Sequence, residues 1–258
     1  DPAGFDEWRV LPGQGHYDNP VMLEADGVVV ERSGYVTDLI TDDAVDFLDR
    51  HRDEPFALFC HHKAAHRTWV PAPRHFTLFD DEDIPEPETF RDDLTGHAEA
   101  IRRVKMSMMD LDPIVDLKSP VPEGLTLDEE IEWRYQRYMK DYLRVVVAMD
   151  EGIGRLLDHV DELGLTESTI VVYTSDQGFF LGDHGWFDKR LMYEESLAMP
   201  LLIRYPDAVV AGSDSGDIVL NVDFAPTLLE LMGVDVPDDL QGTSFAPILR
   251  GSVPDDWQ

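Results

Sequence analysis

The most informative part of this sequence reads Ile170-Val171-Val172-Tyr173-Thr174-Ser175-Asp176-Gln177-Gly178-Phe179-Phe180-Leu181-Gly182-Asp183-His184-Gly185-Trp186-Phe187-Asp188-Lys189-Arg190. Its β-branched and aromatic start predicts a short buried strand, and a polar loop rich in glycine follows. In open α/β sheets, ligands bind in the crevice outside the carboxyl ends of the strands. Asp176 and Gln177 therefore lie where a metal or substrate site is expected. Because the glycines allow tight turns, we expect the loop to bring Asp176, His184 and Lys189 together.

The residues of this loop leave their chemistry open when they are taken one at a time. Asp176 and Gln177 offer hard oxygen donors that suit Ca²⁺ or Mg²⁺, but Asp176 could equally bond its own backbone in a turn. Lys189 could bind an anionic oxygen, or it could be a solvated side chain paired with Asp188. His184 could be an acid, an anion donor or a surface residue.

The sequence on either side of this loop predicts an α/β fold. Apolar residues recur at steps of three or four along Leu127–Leu163, which indicates a long helix ended by Gly164. Short apolar runs predict buried strands at Phe56–Cys60 and Pro200–Arg204. A helix before a strand and its loop is typical of α/β units. Further helices are predicted near residues 35–52, 94–108 and 227–232, with a short edge hairpin at residues 24–31 and a short strand at residues 218–220.

A second polar cluster follows the predicted strand Phe56–Cys60. It contains His62, Lys63 and His66 within five residues, a concentration of cationic groups that favours an anion site. Zinc is an alternative, but no cysteine partner or second spaced histidine pair supports it. The single cysteine, Cys60, excludes an internal disulfide and is interpreted as a small buried residue.

The composition is strongly acidic, with a formal net charge of −32 from 53 acidic and 21 basic residues. Nucleic acid is excluded as a partner because phosphate contacts need lysine and arginine. Only five lysines are present, and a carboxylate-rich, lysine-poor surface suggests a halophilic source, with an ordinary acidic protein as the alternative. No apolar run is long enough to predict a membrane helix, and the sequence gives no oligomeric state.

Taken together, these motifs resemble the sulfatases, a family of the alkaline phosphatase-like superfamily. The segment Thr174–Lys189 is similar to the sulfatase segment that binds metal and substrate, and His62-Lys63-Ala64-Ala65-His66 resembles the sulfatase histidine motif. Residues 12–20, 222–229 and 241–245 also fit, and the motifs are most like those of heparan-type and N-acetylglucosamine-6-type sulfatases. The resemblance spans nearly the whole chain.

The resemblance implies an alkaline phosphatase-like α/β sandwich with a central, mostly parallel sheet flanked by helices. It implies hydrolysis of a sulfate ester, on a sulfated sugar or a similar compound. Asp176 and Gln177 would bind Ca²⁺ or Mg²⁺, Lys189 would bind a sulfate oxygen, and His66 would contact the sulfate and help to open the sulfated intermediate. The other residues implied to line the substrate pocket are His62, Lys63 and His184. An extracellular or periplasmic location fits the family, although the chain begins with no signal peptide.

Departures from the family pattern set further expectations. Sulfatases carry a Cys/Ser-x-Pro-x-Arg motif whose first residue becomes formylglycine, the nucleophile, and an early pair of metal-binding aspartates; neither is found here. We therefore expect residues 1–251 to be the middle and later part of a sulfatase catalytic domain, and residues 252–258 to begin a truncated C-terminal region. As it stands, such a chain is expected to be inactive. The alternatives are a phosphodiesterase or phosphonate hydrolase of the same superfamily, and a nonenzymatic anion-binding remnant.

Overall fold

The computed structural model describes residues 2–257. The chain divides into two compact units, one made of residues 2–163 and 177–198, the other of residues 164–176 and 199–257. In chain order the helices and strands are β1 (Arg9–Val10), β2 (Val21–Glu24), β3 (Val29–Glu31), α1 (Val36–His51), α2 (Leu127–Glu162), β4 (Val171–Thr174), β5 (Phe180–Leu181), β6 (Phe187–Asp188), α3 (Glu194–Leu197), β7 (Leu201–Arg204), α4 (Phe224–Leu231) and α5 (Ala246–Leu249). Single 3₁₀ turns punctuate the loops between them.

The first unit is built around α2, the longest helix. Thr126 caps its start, and Thr126 and Glu129 exchange hydrogen bonds in a capping box, which satisfies backbone N–H groups that have no partner inside the helix. Gly164 follows its end with a φ of +71°, a conformation that glycine adopts at little cost. The predicted helix Leu127–Leu163 is thereby confirmed. The predicted helix at residues 35–52 is confirmed as α1, which packs against α2.

The hydrophobic core of the first unit joins α2 to the loops that carry the polar clusters. Trp69 is completely buried and packs edge-on against Tyr138 of α2, with ring centres 4.7 Å apart. Phe187 of β6 packs edge-on against both rings. Each such side chain contributes about 1.5–3 kcal/mol by leaving water. The core therefore fixes the loop after His66 and strand β6 to the same rigid helix.

The second unit contains the strand that opens the most informative part of the sequence. Strand β4 pairs with β7 in antiparallel register, with Val172 opposite Ile203, so both predicted strands are confirmed. Helix α4 has Pro226 in its first turn, and Asp223, which precedes the helix, is buried and accepts hydrogen bonds from the N–H groups of Leu220 and Thr243, both at 2.8 Å. The helix predicted near residues 227–232 is confirmed in type, with an earlier start.

Some predicted elements are wrong, for local reasons. Phe56–Cys60 forms no strand because no strand within residues 2–257 pairs with it. Residues 94–108 form isolated turns instead of a helix. The carboxylates of Asp92 and Asp93 accept hydrogen bonds from nearby backbone N–H groups, which favours turns. Residues 218–220 are also without strand structure, and Ile218 is exposed.

The arrangement of the strands differs from the expected sheet. Within residues 2–257 every strand pair is antiparallel, so the predicted mostly parallel central sheet is not seen there. The physical reason is that β4 pairs only with β7 in this part of the chain, and Phe56–Cys60 adds no neighbour. In the same range, no helix is both long enough and apolar enough to span a bilayer.

Candidate active site

A short β-hairpin, with two residues in each strand, brings Lys189 back towards Phe179, near the start of the loop. In this hairpin Phe180 of β5 lies opposite Asp188 of β6, and the turn is closed by Gly182, whose φ is +109°. The Lys189 ammonium consequently lies 5.6 Å from the ring centre of Phe179, on the face that attracts cations. The glycine-rich loop thus folds back on itself, as the sequence predicts, but of the three side chains expected to meet there only Lys189 lines the cavity described below.

His66 is held by hydrogen bonds on both its backbone and its ring. The buried Tyr17 hydroxyl donates to the His66 carbonyl at 2.6 Å. The Nδ1 atom of His66 lies 2.8 Å from the Arg67 carbonyl, and because a carbonyl only accepts, Nδ1 must carry the proton in this contact. Within residues 2–257 the Nε2 atom of His66 has no hydrogen-bond partner. The ring therefore has a fixed tautomer and one nitrogen available to a ligand.

His66 and Lys189 line the same cavity, whose volume is about 260 Å³. The complete set of lining residues is His66, Arg67, Trp69, Gln177, Phe179, Phe187, Asp188, Lys189 and Arg190. The wall combines three aromatic rings with the side chains of one lysine and two arginines and a single carboxylate. This composition suits a small ligand that carries a negative charge on an apolar or sugar-like body.

The charges around the cavity leave Lys189 uncompensated. Arg67 pairs through two nitrogens with Asp116, which is completely buried, and its Nε–Oδ1 distance is 2.6 Å. Asp188 accepts a hydrogen bond from Arg190 at 2.7 Å. No ion pair joins Lys189 to any residue within the range 2–257. The alternative in which Lys189 is paired with Asp188 is therefore absent, and an anion would meet a full positive charge.

Two of the predicted pocket residues lie outside the cavity lining. The Lys63 ammonium donates to the carbonyl of Gln14 at 2.7 Å and lies 5.0 Å from the Tyr17 ring centre. Burial lowers its pKa. His62 is largely buried beside Cys60, with Nε2 3.7 Å from the sulfur, and burial lowers its pKa to about 4. Both side chains support the loop that carries His66.

His184 is not brought together with Lys189 in the cavity lining. Its Nδ1 atom lies 2.8 Å from Asp92, and its backbone is left-handed, with a φ of +56°. The ring packs among Trp186 and Tyr193 at centre distances of 5.1 and 5.2 Å. His184 thus belongs to an aromatic cluster in the connection of the hairpin, and its predicted role in substrate binding stays a prediction.

Asp176 and Gln177 directly follow β4. Asp176 is exposed, and its only contact within residues 2–257 is a long hydrogen bond of 3.4 Å from Ser175. The turn in which Asp176 binds its own backbone is therefore not formed there. Gln177 is half-buried and lines the cavity. Their oxygens fit a hard cation, but in the described residues no group of three or more His, Cys, Asp or Glu side chains is arranged to hold a metal.

The cavity also contains residues that the sequence did not single out. Arg67 follows His66 directly, so its position in the second polar cluster was an available signal. Phe179 and Phe187 flank the glycine turns, but an aromatic residue in a loop does not by itself indicate a binding site. Asp116, the buried partner of Arg67, lies 49 positions along the chain from it. Nothing in the sequence pairs those two positions.

Comparison with known proteins shows which proteins this chain resembles. Residues 182–258 match the family model described as N-sulphoglucosamine sulphohydrolase, C-terminal. An N-acetylglucosamine-6-O-sulfatase from Bacteroides thetaiotaomicron is 44% identical, in an alignment that covers all of this chain and 54% of that protein. Over its whole length, this chain is therefore similar to a curated sulfatase. The human N-acetylglucosamine-6-sulfatase is 28% identical, again over the whole chain and over 44% of its own length.

Solved structures confirm the fold of this chain. One, described as a complex with its substrate D-glucosamine-2-N,6-O-disulfate, superposes with a TM-score of 0.95 at 43% identity, covering 100% of this chain and 61% of that one. A phosphonate monoester hydrolase from Silicibacter pomeroyi has a TM-score of 0.70 at 22% identity over 99% and 49% of the two chains, which shows the fold alone. The chain spans about half the length of the curated relatives it matches.

Proposed function

We propose that this chain contributes part of the active site of a sulfuric ester hydrolase that acts on a sulfated sugar. The observation that carries the proposal is the shared cavity of His66 and Lys189, whose cationic and aromatic wall suits a sulfated sugar ring. Relatives named for N-acetylglucosamine 6-sulfate, and a similar structure described with a disulfated glucosamine, favour a glucosamine 6-O-sulfate as the ligand.

In this proposal Lys189 binds a sulfate oxygen. A monoester of sulfate carries one negative charge, and Lys189 supplies one positive charge without an ion-pair partner in residues 2–257. At a separation of 4 Å and an effective dielectric constant of about 20, the attraction is about 4 kcal/mol before desolvation costs. Lysine supplies this as a compact point charge, whereas the paired guanidinium of Arg67 supplies hydrogen bonds of fixed direction. The two cations therefore act differently on the same ligand.

His66 is proposed to contact the sulfate through Nε2. Because the Arg67 carbonyl holds the Nδ1 proton, the neutral ring presents an acceptor at Nε2, and the protonated ring presents a donor there. Either form meets the sulfate ester at a defined atom. A histidine in this position can hold or deliver a proton as the ester bond to the sugar oxygen is broken. His62, Lys63 and His184 are proposed as outer residues of the substrate pocket.

Asp176 and Gln177 are proposed as donors to Ca²⁺ or Mg²⁺. A carboxylate and an amide carbonyl have the right chemistry, but they fill only part of a shell of six or more oxygens. A bound divalent cation would polarise the sulfate oxygens as a Lewis acid. The formylglycine that sulfatases generally use as nucleophile is proposed for the whole protein, with no residue of this chain assigned to it. An extracellular or periplasmic location also stays a proposal.

The acidic composition supports a second, independent proposal of a halophilic source. A net charge of −32 destabilises a compact chain by self-repulsion, which salt screens. Stability in urea should then rise steadily between low and molar concentrations of KCl. A chain that is equally stable at both extremes would leave the ordinary acidic protein as the explanation.

Lys189→Met tests the sulfatase proposal. We expect sulfate release from glucosamine 6-sulfate by the protein expressed from the complete gene, measured by ion chromatography, to lose about 10²-fold in kcat/KM, since a single removed charge-stabilising group costs about that much. Lys140→Met is the matched control, because among residues 2–257 the Lys140 ammonium donates only to the Asp80 carbonyl. Isothermal titration of the 258-residue chain with the same sugar should show the corresponding loss of affinity.

The same assays separate the alternatives. Faster hydrolysis of a phosphate diester or a phosphonate ester than of the sulfate ester would favour the related phosphohydrolases. Tight, saturable binding with no turnover by the complete gene product would favour a nonenzymatic anion-binding protein. Wild-type protein that neither binds nor hydrolyses any sulfated sugar would contradict the proposal itself.

A further inference from the structure

A buried carboxylate, Asp116, lies behind the cavity wall. Asp116 is completely buried. One of its oxygens accepts from Arg67 Nε at 2.6 Å, and the other accepts from Arg67 Nη2 and from the Asp112 backbone N–H. Asp112 in turn closes this segment by accepting from the N–H groups of Ile114 and Val115, both at 2.8 Å. The Asp116 carboxylate is therefore held in place by its own segment as well as by Arg67.

Lys118 ties the same segment to the loop after His66. Its ammonium donates to the carbonyls of Thr68 at 2.9 Å and Trp69 at 3.1 Å, and also to the carbonyl of Asp116. It forms an ion pair with Asp141 of α2 at 2.9 Å. Asp141 is itself buried. One lysine thus anchors two consecutive backbone groups of the cavity loop to the longest helix of the molecule.

These contacts together determine the position of the Arg67 carbonyl, which sets the tautomer of His66. The Arg67 carbonyl that accepts from His66 Nδ1 belongs to the residue whose side chain Asp116 holds, and the next two carbonyls are those that Lys118 holds. The Arg67 guanidinium is placed over the ring of Phe187 at 5.4 Å, where it lines the cavity. A shift of this backbone would therefore move the Nδ1 acceptor and the guanidinium together.

We infer that Asp116 and Lys118 are positioning residues, which fix the His66 ring and the Arg67 guanidinium in the cavity without contacting the ligand. The physical reason is that a buried carboxylate without its partner is strongly unfavourable, so Asp116 holds Arg67 in one place. Ligand-contacting groups held by such supporting contacts are pre-organised, and loosening the support typically weakens function by 10–100-fold. The inference rests on the proposed function for the identity of the ligand, but not for the state of His66.

The test follows the His66 ring directly by ¹⁵N NMR of the 258-residue chain labelled at histidine, with His66→Gln to assign the signal. In the wild type we expect Nδ1 to carry the proton of the neutral ring. In Asp116→Asn and in Lys118→Met we expect a mixture of tautomers and a roughly tenfold weaker affinity for glucosamine 6-sulfate by isothermal titration. Lys118→Arg, which retains charged donors, should recover part of the loss. Circular dichroism would establish that each variant is folded.

Asp223→Asn is the matched control. Asp223 is also a buried carboxylate that accepts two backbone N–H groups, but it lies in the second unit. The Asp223→Asn substitution should lower the free energy of unfolding without changing the His66 tautomer or the affinity for glucosamine 6-sulfate. If Asp116→Asn does not fold, the double variant Arg67→Met with Asp116→Leu replaces the ion pair by apolar groups and carries the same tautomer measurement.

The outcomes separate the inference from the proposed function. Folded Asp116 and Lys118 variants with an unchanged His66 tautomer and unchanged affinity would overturn the inference, whatever the enzyme does. A wild type that fails to bind the sulfated sugar, but whose His66 tautomer changes in both variants, would overturn the proposed function and leave the positioning role standing.

Discussion

Gly178 is a position in the candidate active-site loop where backbone atoms leave no room for a side chain, and Gly178→Ala gives a prediction that can be worked out from distances. A β-carbon at this position would lie 2.2 Å from the carbonyl oxygen of Glu195 and 2.6 Å from that of Ala198. Both are backbone atoms, so neither can rotate away as a side chain would. The Gly178 N–H also donates to the Ser196 carbonyl at 3.0 Å. The loop must therefore move by about an ångström, since contacts under 3 Å are not tolerated.

The cost of that movement has three parts. Overpacking a close contact costs about 1–3 kcal/mol, and weakening the hydrogen bond to Ser196 adds about 1 kcal/mol. The smaller conformational entropy of the unfolded alanine chain offsets about 0.4–1 kcal/mol. We expect a net loss of about 2–3 kcal/mol, a large part of the roughly 5–15 kcal/mol that stabilises a typical protein. Because Gln177 and Phe179 flank this glycine and line the cavity, affinity for the sulfated sugar should fall as well.

The measurement is urea unfolding followed by circular dichroism, with Gly154→Ala as the control. Gly154 lies inside α2, and a β-carbon there meets no atom within 4 Å. Alanine should stabilise that helix by about 0.5–1 kcal/mol. The same substitution is thus expected to have opposite signs at the two positions. A Gly178→Ala protein as stable as the wild type, or more stable, would refute the close approach and the loop conformation that it implies.

The buried groups beside the cavity loop give two further predictions. Burial lowers the pKa of His62 to about 4, so protonation is disfavoured in the folded chain, and the free energy of unfolding should fall by roughly 3 kcal/mol as the pH drops from about 6.5 towards 4. Urea unfolding of His62→Gln, compared with the wild type across that range, should show the loss of this part of the pH dependence. Cys60 is half-buried rather than fully buried, and the burial that it has raises its pKa to about 11. Its alkylation by iodoacetamide at pH 8 should therefore be about 100-fold slower in the native chain than in urea, and equal rates would contradict the raised pKa.

Local patterns in the sequence predict those elements of the fold that are stabilised by interactions between residues close together in the chain. Helix α2 carries its own cap and apolar stripe, so its position follows from the sequence alone. The predictions that are wrong concern segments whose structure depends on contacts with other parts of the chain. Phe56–Cys60 has the composition of a strand, but a strand needs a neighbour to accept its backbone hydrogen bonds, and within residues 2–257 none pairs with it. At residues 94–108 the helical pattern is overridden by aspartate side chains that bind the backbone in turns.

The contrast between local patterns and distant contacts also separates the site residues that the sequence predicts from those that it does not. His66 and Lys189 follow recognisable motifs and line one cavity. His184 has equally strong motif support, but its left-handed backbone and its contact with Asp92 place the ring among aromatic neighbours. Asp116 could not be predicted, because its meaning depends on a contact with Arg67 across 49 positions of chain. A motif can identify a group that contacts a ligand, whereas the group behind it is visible only in three dimensions.

The cavity poses a last problem, because a chain with a net charge of −32 is proposed to bind an anion. Distance and screening decide which effect wins. At physiological ionic strength the Debye length is about 8 Å, so exposed carboxylates farther away act weakly on a ligand in the cavity. Lys189 acts at contact distance, where an attraction of about 4 kcal/mol is possible at an effective dielectric constant of about 20. The buried Asp116 faces Arg67, which neutralises it. Acidity of the surface and anion binding in the cavity are therefore compatible, because each is governed by charges at a different range.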